Sequence, residues 1–555
     1  MGQTFVYNTG NPQLSEQGEL KFTFGVFFDG TRNNLKNTEI RKKVQGKGEF
    51  GLIAATDEEK EIFEKYAKDD NSFGNDFTNV ARKYMCTLRD TYSLYVEGIA
   101  TIDKNDDEGE GFKYGRGTTG VIGKVRIGCT ALAKEVKKSI DSSESKKKIK
   151  SIELTIDIFG FSRGAAAARN FAYNLQLGAY APKSYYPPVQ GASRIDVDHP
   201  TSEFQSVEQW WLKDGLLPKF GHLGTSLLEA GVEREIIDSM TVDVRFIGVY
   251  DTVASYDPTC LLLPNFKKKV GELHLHELGS PRKAVHFTAT DEHRENFSLT
   301  RFLPVKLHTG IEKNFPGVHS DVGGSYNHDA LSATEISQNY YQPDPAEGFT
   351  EREMVWLEKA RFKNSLLPFR NELIGQGWFK KEQLEMSASL NYKSFVGSFY
   401  VLKGTRNLYR GYSFIPLHFM CDYALPYLNE EKQNLLQSKI MSDYALNDSF
   451  LDQVKAYMKE HIIDKNENWS LKKYFNYEDD EIDSTKDDDN KSSDEVKDEI
   501  TTPTVLLEEV KIISYKSDIL LRKLRNRYLH RSAKLNSLMD DLAYSPAENR
   551  KRMEF

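Results

Sequence analysis

The sequence predicts an α/β fold, a mostly parallel sheet with helices on both faces. Two observations carry that expectation. Short apolar runs rich in aromatic and β-branched residues alternate with helically spaced stretches through the first half of the 555-residue chain. One of those runs leads directly into a Gly-x-Ser-x-Gly turn followed by an alanine-rich stretch, the order strand, sharp turn, helix.

The first strand is expected over residues 21–29, where Lys-Phe-Thr-Phe-Gly-Val-Phe-Phe ends in Asp29-Gly30 and a polar stretch. A helix follows at 127–140, a second strand at 154–159 and a second helix at 163–175. Third and fourth strands are expected at 242–250 and 284–290. Residues 185–238 look inserted and carry Trp210, Trp211, Leu212, Leu216, Leu217, Phe220, Leu227 and Leu228, a candidate cap. After about residue 330 helical spacing dominates, as at 351–364 and 430–461, with few strand candidates. The expected organisation is a catalytic core over 1–335, a mostly helical region over 336–477, an acidic disordered linker over 478–499, and a basic amphipathic helical tail over 500–555 packing on the core.

Composition removes several function classes. Hydrophobic residues make up 39% and charged residues 28%, a globular balance. The net charge of −8 is concentrated: residues 478–499 hold 12 acids and 3 lysines, so the rest sits near neutrality. A near-neutral body argues against a nucleic-acid partner. The last 46 residues carry 11 Lys/Arg against 5 Asp/Glu, a docked basic tail or a lipid- or partner-facing arm. Cys86, Cys129, Cys260 and Cys421 stand far apart with no Cys-x-x-Cys pair, which argues against a disulfide framework or a cysteine zinc site. No apolar run approaches the roughly 20 residues of a membrane span. The N-terminus shows no secretory signal pattern, so a soluble protein made in the cytoplasm is expected.

The chemistry centres on Gly160-Phe161-Ser162-Arg163-Gly164. A nucleophile elbow needs its serine on a strained turn with the hydroxyl exposed, and flanking glycines remove side chains that would collide with backbone. The helix that follows aims backbone donors at the reacting centre. In an α/β-hydrolase-like fold the acid and base follow in the order Ser, Asp/Glu, His. Asp251 closes the run 242–250 and is the preferred acid; Asp257, Asp291 and Asp321 are rivals. Twelve histidines compete for the base. His319, in a late loop between Pro316 and Gly323-Gly324, is preferred over His308 and His328. The backbone N–H groups of Arg163 and Gly30 are the expected oxyanion donors. Trp210 and Trp211, with Leu262 and Leu263 beside a Lys267-Lys268-Lys269 flank, are the candidate lid or lipid contacts. No metal site or cofactor is expected: ligand spacing is absent, and Gly115-Arg-Gly-Thr-Thr-Gly120 lacks the ending of a phosphate-binding P-loop.

Four motifs, Phe27-Phe-Asp-Gly-Thr-Arg-Asn-Asn34, Gly160-Phe-Ser-Arg-Gly-Ala165, Gly248-Val-Tyr-Asp-Thr-Val-Ala254 and Phe315-Pro-Gly-Val-His-Ser-Asp-Val-Gly-Gly324, occur in that order. Together they resemble the α/β-hydrolase lipase effectors of type VI secretion, with a weaker echo at residues 527–532. The resemblance implies a phospholipase A acting on bacterial glycerophospholipids through Ser162, Asp251 and His319. It also implies a VgrG-type spike as carrier, delivery into a rival's periplasm, and a cognate immunity protein in the producer. An esterase or thioesterase of small substrates, and a non-catalytic binding module on a hydrolase fold, are the alternatives.

Overall fold

The computed structural model describes residues 13–14, 18–46, 54–68, 71–87, 93–142, 149–182, 207–255, 270–303, 307–327, 350–389, 399–409, 411–427, 439–472, 505–533 and 551–554. They divide into two compact units. The first comprises Met1–Tyr340, Gly411–Asn447 and Ala547–Phe555; the second comprises Tyr341–Arg410 and Asp448–Pro546.

The first unit is built on a seven-stranded sheet. Its strands are β1 (Gln13–Leu14), β2 (Glu19–Phe28), β3 (Ser93–Val96), β4 (Ser151–Phe161), β5 (Thr241–Tyr250), β6 (Lys283–Ala289) and β7 (Gly310–Phe315). β2, β4, β5, β6 and β7 lie side by side in that order, all parallel. β3 adds in parallel to the end of β2, and only the two-residue β1 runs antiparallel. Burial explains this arrangement. Phe22, Phe24, Val26 and Phe28 of β2 and Ile152, Leu154, Ile156 and Ile158 of β4 point to one face, under the helices Val121–Ser142 and Arg163–Leu175. Phe27 and Phe159 stack on the other face at 5.1 Å, where the helix Asn79–Met85 packs on β2 and β4 and the helix Phe414–Ala424 packs on β5 and β6. A sheet apolar on both sides must be covered on both sides.

The register levels the strand ends that matter. Phe28 of β2 lies opposite Gly160 of β4, Phe161 opposite Tyr250 of β5, and Tyr250 opposite Phe287 of β6. The chain therefore emerges along one rim at Asp29, Ser162 and Asp251, and four residues beyond β7 it reaches His319. A bulge between Ile156 and Asp157 leaves Arg245 unopposed in β5, and its guanidinium binds the buried Asp157 carboxylate at 2.5 and 3.0 Å.

The second unit departs from expectation. The stretch read as helical at 351–364 is largely strand β8 (Thr350–Ala360), antiparallel to β10 (Phe399–Tyr409), which also pairs with β9 (Leu384–Ser389). Glu, Arg, Met, Leu and Lys favour helix by propensity, but pairing along the whole of β10 overrides that weak preference. Among its described residues the region 336–477 thus carries a three-stranded sheet beside its helices, and residues 411–447 belong to the first unit. The tail is split likewise: the helix Val505–Arg527 lies in the second unit with β10, while Ala547–Phe555 joins the first. The acidic stretch 478–499 lies outside the described residues.

In the expected cap region, the helix Gly221–Glu229 packs on Val121–Ser142, and Trp211, Leu217, Leu223 and Leu227 are part of the core. Among the described residues no helix is long and apolar enough to cross a membrane.

Candidate active site

β4 ends in an abrupt change of direction at Ser162, whose φ of 60° and ψ of −131° lie outside the regions open to most L-residues. The turn is held from both sides. The Ser162 N–H donates to the Tyr250 carbonyl at 3.1 Å, and the Val253 N–H donates to the Ser162 carbonyl at 3.3 Å. The two elbow glycines are steric necessities: a Cβ on Gly160 would lie 2.7 Å from Ala165 Cα, and one on Gly164 would lie 2.0 Å from the Asp29 carbonyl oxygen. Ser162 sits at the N-terminus of the helix Arg163–Leu175, where the first amides lack partners within the helix.

Asp251 follows β5 with φ of 43° and is fully buried. His319 opens the short helix His319–Gly323 after β7, and its Nδ1 meets Asp251 Oδ2 at 2.5 Å. An ionised carboxylate only accepts, so Nδ1 carries the proton and Nε2 keeps its lone pair. The imidazole is fixed by rings on two sides: Phe161 at 4.5 Å and Phe297, edge-on, at 5.0 Å between centroids. Phe161, the residue before Ser162, is itself wedged against Gly30 and Gly323, since a Cβ on either would come within 2.4 Å of its ring. One phenyl ring thus ties the β2 loop, the elbow and the histidine loop together.

The electrostatics of the pair are mixed. Burial raises the Asp251 pKa, but Arg552 and His319 outweigh it and hold the carboxyl well below the usual range. Burial lowers His319, and the Asp251 carboxylate only partly offsets that, so the imidazole titrates below its ordinary 6.5. The neighbouring Glu292 is also buried; its carboxylate receives Arg294 at 3.0 Å through two nitrogens and the His319 N–H at 3.2 Å.

The rival acids have other tasks. Asp291 accepts the Gly317 N–H at 2.7 Å and Asp321 accepts the Val318 N–H at 2.9 Å, both shaping the histidine loop. His308 lies at the turn before β7; His328 and Asp257 lie outside the described residues. His286 was not singled out by sequence. It is buried on β6, accepts the Thr252 N–H at Nε2 and donates from Nδ1 to Glu312 at 2.8 Å, bracing the strand next to Asp251.

The β2 loop differs in one detail from expectation. The Gly30 N–H is already spent on the Asp29 carboxylate at 2.7 Å. Its neighbour Thr31 is held by Arg163 Nε on its hydroxyl at 2.9 Å and by Asn33 Nδ2 on its carbonyl at 2.9 Å, while its own N–H makes no hydrogen bond among the described residues. The Arg163 side chain points away from solvent and donates to the carbonyls of Gly111 and Phe112 at 3.0 and 2.8 Å. Burial, then the charge of Arg32, lowers it to about 9. Asp29 is buried too; burial raises it to about 6 against the Thr78 and Tyr95 hydroxyls.

Of the candidate lipid contacts, Trp210 is 59% exposed, whereas Trp211 is buried in the core. Leu262 and Leu263 lie outside the described residues. Among the described residues no cluster of His, Cys, Asp and Glu could hold a metal.

The model of the catalytic domain of Tle1-like phospholipase effectors of the type VI secretion system matches residues 24–341. This chain belongs to that family. The Tle1-like match spans every motif at the rim, from the β2 loop to the histidine loop, and stops well short of Arg552. A solved structure of a Tle1 effector bound to the VgrG spike covers 100% of both chains at 14% identity, with a TM-score of 0.44. An uncharacterized protein from Pseudomonas aeruginosa covers 56% of this chain and 42% of its own, at 17% identity and a TM-score of 0.25. No curated protein matches the sequence.

Proposed function

We propose that this Tle1-like effector is a phospholipase A that cleaves acyl esters of membrane glycerophospholipids by a Ser162–His319–Asp251 mechanism. The observation that carries the reading is the hydrogen bond of 2.5 Å from His319 Nδ1 to Asp251, on the same rim as a serine held at φ of 60°. That bond fixes the tautomer with its basic nitrogen free.

In this mechanism His319 Nε2 takes the Ser162 proton as the hydroxyl oxygen attacks the ester carbonyl. The oxyanion is received by the backbone N–H of Arg163 and, in place of Gly30, that of Thr31, aided by the positive end of the helix Arg163–Leu175. Asp251 stabilises the imidazolium without taking its proton. His319 then returns the proton to the leaving lysophospholipid oxygen, and a water activated by the same base frees the fatty acid. Membership of a phospholipase effector family supports a lipid ester over a small soluble one. It also supports a spike protein of the VgrG type as carrier, a rival's periplasm as destination, and an immunity protein in the producer.

The test uses phosphatidylethanolamine and phosphatidylglycerol vesicles labelled separately on each acyl chain. Release of labelled fatty acid by the wild type, and not by Ser162→Ala, is expected, and the label released reports the position cut. Equal release by both proteins would remove Ser162 from the mechanism.

A further inference from the structure

We infer that Arg552 is a positioning residue for the catalytic pair, a role that rests on the Ser162–His319–Asp251 reading above. Its guanidinium grips the Asp251 carboxylate at both oxygens, Nη1 to Oδ1 and Nη2 to Oδ2, each at 2.7 Å. The fork is itself fixed: Nε donates to the Phe297 carbonyl at 2.6 Å and Nη1 reaches the Ala289 carbonyl at 3.2 Å. The surrounding strap is docked as well. The Leu299 N–H donates to the Met553 carbonyl at 2.8 Å, Leu299 bridges Glu554 in parallel, and Glu554 holds Arg301 at 2.6 and 2.9 Å. Leu299 also bridges Val253, two residues past Asp251, so the strap lies one segment away from the turn it serves.

The Asp251 carboxylate is thereby filled. Oδ1 accepts from the Ala289 N–H and Arg552, and Oδ2 from Arg552 and His319. A fully buried carboxylate facing only a neutral imidazole would be an uncompensated charge. It would relieve that state by holding His319 as imidazolium, which cannot act as a base. The bidentate guanidinium neutralises Asp251 instead and sets the plane of its carboxylate, leaving His319 neutral and ready to accept a proton. Among the described residues the other charged groups facing His319 are Glu292 and Arg294, which bind one another. His286 with Glu312 stands on the β6 side. Among the described residues the guanidinium that meets the Asp251 carboxylate is that of Arg552.

The experiment compares full-length wild type, Arg552→Gln, Arg552→Lys, Asp251→Asn and the Asp251→Asn/Arg552→Gln double variant. Histidine-labelled protein gives the His319 titration by NMR, assigned with His319→Gln, and vesicle hydrolysis gives kcat and KM across pH. In Arg552→Gln the His319 titration should move up, and the acid limb of kcat/KM should move up with it. At neutral pH kcat should fall about 10- to 100-fold, the cost of a small misplacement of a catalytic group, with KM little changed. Arg552→Lys should keep the titration near wild type but recover only part of kcat, because an ammonium cannot hold both oxygens in a plane. The double variant should lose no more activity than Asp251→Asn alone. Should Arg552→Gln not fold, the Arg552→Lys pattern decides. A His319 titration unchanged in folded Arg552→Gln, or full kcat in Arg552→Lys, would overturn the inference. Absence of wild-type hydrolysis would instead count against the phospholipase reading, and the NMR titration would still report on Arg552.

Discussion

His319 Nδ1 lies 2.5 Å from the Asp251 carboxylate, and the two residues reach each other from the ends of β5 and β7 across the intervening strand β6. The imidazole is oriented by that one bond and by the Phe161 and Phe297 rings. Replacing the carboxylate by an amide would offer a donor where only an acceptor serves, and the ring would turn or change tautomer. Asp251→Asn should therefore lower kcat by on the order of 10⁴, the size of the same change in a serine protease triad. It should also lower the melting temperature, since Arg552 would lose the counter-ion that justifies its burial. Steady-state kinetics on a soluble acyl ester and a thermal melt check both; retention of kcat within tenfold would count against the tautomer argument.

Activity should persist to lower pH than an ordinary histidine permits. Burial lowers His319 below 6.5 in spite of Asp251, and the base works only when neutral. The acid limb of kcat/KM should accordingly lie below 6.5, flat from there through neutrality. A pH profile in which activity already falls by half at pH 7 would show that His319 is not held neutral.

Much of the rim was legible in the sequence because its geometry is local. Gly160, Ser162 and Gly164 are demanded by one turn, and the apolar runs ending at Phe28, Phe159 and Tyr250 announce strands whose C-terminal ends carry the loops. Asp251 and His319 could be ordered along the chain, although no local feature of either residue names its partner. What failed to show has the opposite character. Arg552 reaches Asp251 across 301 positions, and nothing in Lys551-Arg552-Met553-Glu554 distinguishes it from a solvated basic tail. The proposed place of Thr31 as donor instead of Gly30 rests on the Asp29 carboxylate occupying the Gly30 N–H. β8 stays hidden because its charged and long-chain residues suit a helix and its partner β10 lies 40 or more positions away.

Stability should fall on the acid side, with Glu312 as one cause. Burial raises its pKa, but His286 and then Arg301 outweigh burial and lower the carboxyl from 4.5 to about 2. A depressed carboxylate contributes stability that is complete above its unfolded pKa and lost as pH falls through the folded one. That contribution should vanish between about pH 4.5 and 2. Asp29 acts in the opposite sense: burial raises it to about 6, so its share is present below its unfolded value near 3.8 and lost as pH rises through 6. Urea titrations at a series of pH values should give a shallower acid-side slope for Glu312→Gln than for wild type. Parallel slopes would mean that the His286–Glu312–Arg301 chain is not formed in solution.

The elbow should be a place where function is held against stability. Ser162 adopts φ of 60° with ψ of −131°, a region essentially confined to glycine, and a non-glycine residue held there costs about 1–3 kcal/mol. Ser162→Ala removes the proposed nucleophile but keeps the Cβ and hence the strain. Ser162→Gly removes both, at an unfolded-state entropy cost of roughly 0.5–1 kcal/mol. Neither variant should hydrolyse lipid, but the glycine variant should unfold at a higher urea concentration than the alanine variant, by about 1 kcal/mol once the two terms are set against each other. Gly164→Ala should behave in the contrary way. Its Cβ would meet the Asp29 carbonyl at 2.0 Å, backbone that cannot rotate aside, so the loss should be about 1–3 kcal/mol and the β2 loop should shift with it. Equal midpoints for Ser162→Ala and Ser162→Gly would mean that the turn is relaxed in solution and that Ser162 is presented without strain.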